Sequence, residues 1–305
     1  MGAALQRELE DRFGERIRFE VPLARLTSLR VGGPVDAVAT PADRGELLEL
    51  LRRLARARVP HHLIGGGFNS LASDAPLAGV VIQLSRFRRL EARPEDTLRI
   101  EAGVSHSQIT RFCCEHGFAG LEFGAGIPGS FGGWLAMNAG IPDREIGDRV
   151  LELEVASPSG SGIRHLPASE LHFRYRSLRG LAPGSVIVSA RVRVERSTPE
   201  AVRSEVDALL ARRGQSQPLS VPSCGSVFKN PPGDHAGRLI EAAGLKGHQV
   251  GGAQISPVHA NFIANTGGAS AADVFELIEL VQRTVESQTG TRLEREVRLL
   301  GGNEK

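Results

Sequence analysis

Apolar residues at helical spacing predict helices over residues 5–13, from Pro41 with Leu47, Leu48, Leu51 and Leu54 on one face, and over 107–116. The same period returns over 199–213, with Val202, Val206, Leu209 and Leu210, over 236–243, and from Ser270 through Val285. Ser270 is the predicted N-cap of that last helix, with Asp273 favourable in its first turn. Continuous or alternating apolar runs bounded by turn residues predict strands at 26–33, 59–64, 79–84, 98–104, 151–156, 162–166, 186–194 and 261–265. The first two strands and the helix between them read as a β-α-β unit. At the C-terminal end, Leu293, Val297 and Leu299 fall on one face of a predicted strand and Glu294, Glu296 and Arg298 on the other. An α+β fold with much antiparallel strand is the simplest assembly of these elements.

One stretch breaks both periods. Residues 124–140, GAGIPGSFGGWLAMNAG, hold six glycines and one proline among small and apolar residues, and support neither a regular strand nor a long amphipathic helix. Glycines at this density let the backbone take positive φ and bring bare N–H groups against a ligand, which is what a phosphate needs from a loop. Alone, the cluster would read as a glycine-rich turn in a β-rich core. A second cluster, Gly65-Gly66-Gly67-Phe68-Asn69-Ser70, follows the apolar run at 59–64, and two such loops can clasp a diphosphate from two sides. Neither is G-x-x-x-x-G-K-[ST] or a strand-to-helix G-x-G-x-x-G, which sets aside ordinary nucleotide triphosphatases and Rossmann dehydrogenases.

Composition narrows the remaining classes. A chain of 305 residues buries a sizeable core in two or three lobes. Its 37 basic and 35 acidic residues leave a net charge of +2 with no long run of one sign, so nucleic acid or a membrane surface has little support as a partner. No apolar stretch approaches the length of a spanning helix, and the opening MGAALQRELEDRFG mixes charges where a signal peptide carries an apolar block; a cytoplasmic location is expected. Cys113, Cys114 and Cys224 are an odd count without metal-ligand spacing, so neither a disulfide framework nor a metal site is indicated.

In order along the chain, GGGFNSL, GAGIPGSFGGWLAMNAG, FRYRS, PSCGSVFKNP, AGRLIEAAGLKG, HANFIAN and LEREVRLLG resemble the motifs of UDP-N-acetylenolpyruvoylglucosamine reductase, the MurB family of peptidoglycan synthesis. PSCGSVFKNP and HANFIAN are particular to that family; the glycine loops are shared by flavoproteins with the vanillyl-alcohol-oxidase type of FAD domain. The resemblance covers nearly the whole chain and implies the shorter form of the family, without an inserted segment. It implies an N-terminal segment over 1–29, an FAD-binding domain of the PCMH type over 30–195 in two subdomains that divide near 85–100, and a C-terminal α+β substrate domain over 196–305. Non-covalent FAD, NADPH as hydride donor, a UDP-sugar substrate, a monomeric state and a role in cell shape and division follow from it. FAD contacts fall by the match on Gly65, Gly66, Gly67, Asn69, Ser70, Gly126, Ile127, Pro128, Gly129, Ser130, Gly132, Gly133, Asn138, Ala139 and Gly140. Substrate contacts fall on Tyr175, Lys229, Asn230, His259 and Asn261, with a core hydrogen bond nearly as well supported for the last two.

The chemistry can be argued beside the resemblance. Adding hydride to the terminal carbon of an enolpyruvyl ether throws negative charge through the adjacent carbon onto the carboxylate, and a guanidinium can clamp that charge with two N–H groups. The match places Arg176 there. A proton must then reach the carbon next to the carboxylate, and the match assigns Ser226 as its donor and Glu296 as the third catalytic group, protonated or acting through a hydrogen bond. Taken singly, each reads as a surface arginine, a turn serine and a solvated glutamate. An alcohol or hydroxy-acid oxidase on the same scaffold would lack the serine-arginine-glutamate set, and a flavin-free nucleotide-sugar binding module would be colourless. Three departures stand out from the family pattern: Phe68-Asn69-Ser70 loses one loop hydroxyl and shifts another, Ile141-Pro142-Asp143-Arg144 replaces an Ala-Tyr-Gly, and Ser216 stands where a basic residue is usual. Contacts expected at Ser216 pass to Arg212 or Arg213.

Overall fold

The structure, a computed structural model, describes residues 1–218 and 220–301; Leu219 and residues 302–305 lie outside it. Helices and strands are mixed throughout, an α+β architecture. The chain forms two compact units, neither continuous in sequence. One comprises 1–19, 37–65 and 79–213; the other comprises 20–36, 66–78 and the chain from 214 onward.

The first unit is built on two cores. Helix Arg44–Ala57 puts Leu47, Leu50, Leu51 and Leu54 into one of them, with Leu9, Phe13, Val80 and Ile82. That helix starts later than Pro41 because Asp43 caps it, accepting the Glu46 N–H at 2.9 Å. The other core lies under an antiparallel sheet in the order Ile163–Pro167, Val150–Ala156, Val186–Arg193, Thr97–Glu101, Leu90–Arg93. The chain passes from the first core to the second between Phe87 and Leu98. Helix Pro199–Ser216 buries Val202 and Val206 in this second core. Through Arg213 it falls in the first compact unit, whereas the expected domain boundary lies ahead of it at 195/196.

The second unit carries an antiparallel sheet in the order Ser223–Ser226, Phe262–Asn265, Ala253–Ile255, Gln249–Val250. Helix Ala271–Thr289 covers its core with Val274, Leu277, Ile278, Val281 and Val285, the 3.6-residue stripe read from the sequence. A capping box starts that helix, the Ser270 hydroxyl accepting the Asp273 N–H at 3.1 Å while Asp273 accepts the Ser270 N–H at 2.9 Å. Two sequence expectations fail here for physical reasons. The strand expected at 26–33 is an irregular segment, because Arg30 and Gly32 take φ of 58° and 126°; Leu29 and Val31 are nonetheless buried in the second unit's core. The β-α-β unit therefore starts from Pro34–Ala39, after a strand at Ile17–Pro22 that the pattern did not announce. The terminal strand is regular only at Arg298–Leu300, where it pairs in parallel with Ser70–Ala72. Among the described residues, no helix is long and apolar enough to cross a membrane.

Candidate active site

In the first unit, the glycine stretch is anchored at its middle by two backbone bonds, Phe131 N–H to Val104 O at 2.8 Å and Gly132 N–H to Ala102 O at 2.9 Å. These start a short helix, Phe131–Met137, directly after Gly129 at φ 119°. The N–H groups of Gly129, Ser130 and Gly133 donate to no acceptor among the described residues. A Cβ on Gly65 would stand 2.3 Å from Ser130 Oγ, so a glycine at 65 leaves room for that hydroxyl. This is a cradle of bare N–H groups of the kind that suits a diphosphate.

The end of the stretch does something else. Asn138 takes φ 43° and is 2% exposed, its amide donating to Glu145 Oε2 at 2.6 Å and Arg174 O at 3.2 Å while its oxygen accepts the Gly147 N–H at 2.9 Å. Ala139 and Gly140 are buried beside it, and a Cβ on Gly140 would lie 2.3 Å from Arg144 O. Asn138, through Arg174 O, and Gly140, whose carbonyl accepts from Arg176, tie the end of the stretch to the hairpin that carries Arg176. Arg144, in the departure from Ala-Tyr-Gly, bonds to buried Glu122 at 2.9 Å and pairs with Glu205.

The hairpin His172–Arg174/Ser177–Arg179 turns on Tyr175 and Arg176. Arg176 takes φ 54°, a left-handed conformation costing a non-glycine residue about 1–3 kcal/mol. Its surroundings hold it there: Nη2 donates to Gly140 O at 3.3 Å, Nη1 lies 3.7 Å from Glu145 Oε1, and the guanidinium sits 4.7 Å from the centroid of the half-exposed Tyr175 ring. Arg213 was only one of two alternatives in the sequence. The structure distinguishes it: a Cβ on Gly126 would fall 2.7 Å from Arg213 Cδ, whereas Arg212 is exposed. Burial, and then the charge of Arg176, lower the Arg213 pKa; no carboxylate pairs with Arg213 among the described residues. His106, stacked on Trp134 with centroids 6.5 Å apart, is likewise shifted down by burial and by Arg213. Two guanidinium groups close enough to repel one another, of which only Arg176 has a carboxylate beside it, favour an anion near Arg213.

In the second unit, Gly225 takes φ 77° and shifts the register of strand Ser223–Ser226 between its ends. Ser226 is left half-buried at the strand end, and its hydroxyl has no hydrogen-bond partner among the described residues. Glu296 and Val297 both donate backbone N–H groups to Val227 O, at 2.8 and 3.3 Å, a bulge that sets Glu296 beside the serine turn. Cys224 is 1% exposed, and burial, reinforced by Glu296, pushes its thiol up to about 12. Lys229 pairs with Glu294, and Asn230 Oδ1 accepts the Ala236 N–H at 3.0 Å at the start of helix Ala236–Ala242. His259 is half-buried, its pKa lowered chiefly by burial, and its Nδ1 accepts the Asn261 N–H at 3.2 Å.

Asn261 is not placed as a substrate contact. It is 4% exposed, with Oδ1 accepting the Phe228 N–H at 2.9 Å and Nδ2 donating to Phe228 O at 2.8 Å. Asn261→Ala leaves both buried backbone groups unpaired and is expected to lower stability by about 2–4 kcal/mol in urea unfolding. A change below about 1 kcal/mol would return Asn261 to the ligand-contact candidates.

The first glycine loop, from Gly66 on, belongs to the unit that carries Ser226 and Glu296. Ser28, which no motif marked, fixes it: its hydroxyl lies 2.6 Å from Ser223 O and 3.1 Å from Gly67 O, and its N–H donates to Gly67 O at 3.1 Å. Asn69 Nδ2 donates to the Glu296 carbonyl at 3.2 Å, so this expected cofactor residue also holds the backbone of an expected catalytic one. The N–H groups of Gly66, Gly67, Phe68 and Asn69 have no acceptor among the described residues. Taken by itself, each glycine loop offers unpaired N–H donors of the kind a phosphate group accepts from.

The chain is similar to known proteins over nearly its whole length. Residues 35–165 match the family model described as FAD binding domain, and 217–300 that of the UDP-N-acetylenolpyruvoylglucosamine reductase C-terminal domain. The reductase of that name from Anaeromyxobacter dehalogenans is 46% identical over 288 residues, covering 94% of this chain and 86% of its own. The one from Geobacter sulfurreducens is 42% identical over 301 residues, covering 99% and 98%. A crystal structure of the reductase from Thermus caldophilus superposes with a TM-score of 0.80 at 33% identity, over 93% of this chain and 99% of that one. An alkyldihydroxyacetonephosphate synthase, at 20% identity and a TM-score of 0.51 over 64% of this chain and 41% of its own, shares the fold alone.

Proposed function

The chain belongs to the UDP-N-acetylenolpyruvoylglucosamine reductase family, and from that premise we infer that it makes UDP-N-acetylmuramate by NADPH-dependent reduction of the enolpyruvyl group of its UDP-sugar substrate. Bound FAD supplies the relay that carries hydride from NADPH to the terminal enolpyruvyl carbon. The chain's own residues do the rest. Arg176, strained into position and packed on Tyr175, takes the charge that develops on the substrate carboxylate, and Arg213 adds a second cation that pairs with no carboxylate among the described residues. Ser226 delivers the proton to the carbon beside the carboxylate, and Glu296 holds that proton path from the adjoining bulge. The observation that carries this reading is the Ser226 hydroxyl, without a hydrogen-bond partner among the described residues and set by a positive-φ glycine beside Glu296 within matched family residues.

In the cell, this reading places the enzyme in the cytoplasm as a monomer, supplying peptidoglycan precursor for cell shape and division, with neither nucleic acid nor membrane as partner. An NADPH oxidation assay with and without the enolpyruvyl sugar nucleotide tests it; oxidation that ignores the sugar nucleotide and depends on oxygen would point to an oxidase instead. The cofactor is expected to be tight but non-covalent, since no histidine or cysteine stands in a tethering motif. Denaturation should release the yellow colour into the supernatant, and colour remaining on the precipitated chain would contradict this.

A further inference from the structure

We propose that Phe68 is a cofactor-retaining residue, its ring closing over the diphosphate held by the N–H groups of its own loop. Apolar cover then does the work that a hydroxyl would do at that position by hydrogen bonding. The proposal rests on the flavoenzyme reading. An exposed apolar side chain is ordinary by itself. What distinguishes Phe68, 41% exposed, is its place among the unpaired N–H groups of Gly66, Gly67 and Asn69.

The ring does not stand out because the loop is loose. The Gly67 carbonyl accepts from Ser28, Asn69 Nδ2 donates to Glu296 O at 3.2 Å, and the Asn69 carbonyl accepts the Arg298 N–H at 3.2 Å. A Cβ on Gly225 would lie 3.6 Å from the Phe68 carbonyl, so the backbone is packed on that side as well. Residues 65–70 include no lysine or arginine. Their hold on an anion is purely dipolar, and dipolar bonds weaken most where water competes. A ring turned over the donors would keep water off them, and on ligand binding it would bury its own exposed face.

The test is FAD release after dilution, followed by recovery of flavin fluorescence, for the parent, Phe68→Ala, Phe68→Leu and Phe68→Ser at low and high salt. Phe68→Ala is expected to release FAD about tenfold to thirtyfold faster, the scale of one uncovered aromatic face. Phe68→Leu should stay within about threefold of the parent. Phe68→Ser should resemble the alanine variant, because a hydroxyl restores a hydrogen bond but no cover. Salt should speed release more from the alanine variant than from the parent. The apoproteins should melt together, since the ring is exposed. Release from Phe68→Ala at the parent rate, slower release from Phe68→Ser than from the parent, or an early-melting alanine apoprotein would each overturn the proposal. A parent that takes up no FAD would instead overturn the flavoenzyme reading, and this inference with it.

Discussion

Ser226→Ala is expected to slow proton delivery to the substrate carbon by about a hundredfold to ten-thousandfold, the usual worth of a positioned general acid. FAD binding and oxidation of NADPH in the first half-reaction should stay near parent values, since neither needs a proton at that carbon. The expectation rests on a hydroxyl that is half-buried, aimed by Gly225 at φ 77°, and without a competing partner among the described residues. A thiol two residues upstream is the natural rival. Cys224 is 1% exposed, and burial holds its thiol protonated with a pKa near 12, so it is both a poorer acid than a free thiol and out of reach of a ligand. Cys224→Ala should therefore keep both half-reactions. Rapid mixing of each pre-reduced variant with the enolpyruvyl sugar nucleotide separates the two. A serine variant that turns over at the parent rate, or a cysteine variant that selectively fails, would move the acid away from Ser226.

Much of this arrangement was legible because its signals are local. The capping pair Ser270 and Asp273 and the stripe from Val274 to Val285 each sit within a few residues, and each forms what its pattern specifies. Partnerships across long separations left no such mark. Ser28 lies 195 residues from Ser223 and Asn69 lies 227 from Glu296, and nothing near any of them announces the pairing. For the same reason the discontinuous second unit was read as a continuous domain: buried Leu29, Val31 and Leu71 look like strand residues of whatever surrounds them in sequence. Asn138 and Asn261 show a different limit. A buried asparagine that satisfies backbone groups and one that faces a ligand carry the same letter, and only the hydrogen bonds to Glu145, Arg174 and Phe228 distinguish them.

Arg176→Ala is expected to lower reduction of the enolpyruvyl substrate by about a hundredfold to a thousandfold, the cost of removing one preorganised donor from a developing oxyanion. Reduction of the cofactor by NADPH develops no charge on that carboxylate and should fall far less. The backbone supplies an independent control. At φ 54° an alanine keeps the left-handed strain and a glycine relieves it, so Arg176→Gly should be about 1 kcal/mol more stable than Arg176→Ala while showing the same catalytic loss. If the two variants differed in rate as they do in stability, hairpin geometry and not the guanidinium would be the cause. Arg176→Lys tests the fork: it keeps the charge, loses the planar pair of donors and the stacking on Tyr175, and should fall between the parent and alanine. Removing the guanidinium also leaves Glu145, 3.7 Å from it in the parent, without that cation, while Arg213 remains to attract the anion. Arg176→Ala should accordingly lose more in kcat than in substrate affinity. Equal losses in the oxidative and reductive half-reactions would remove Arg176 from the substrate carboxylate.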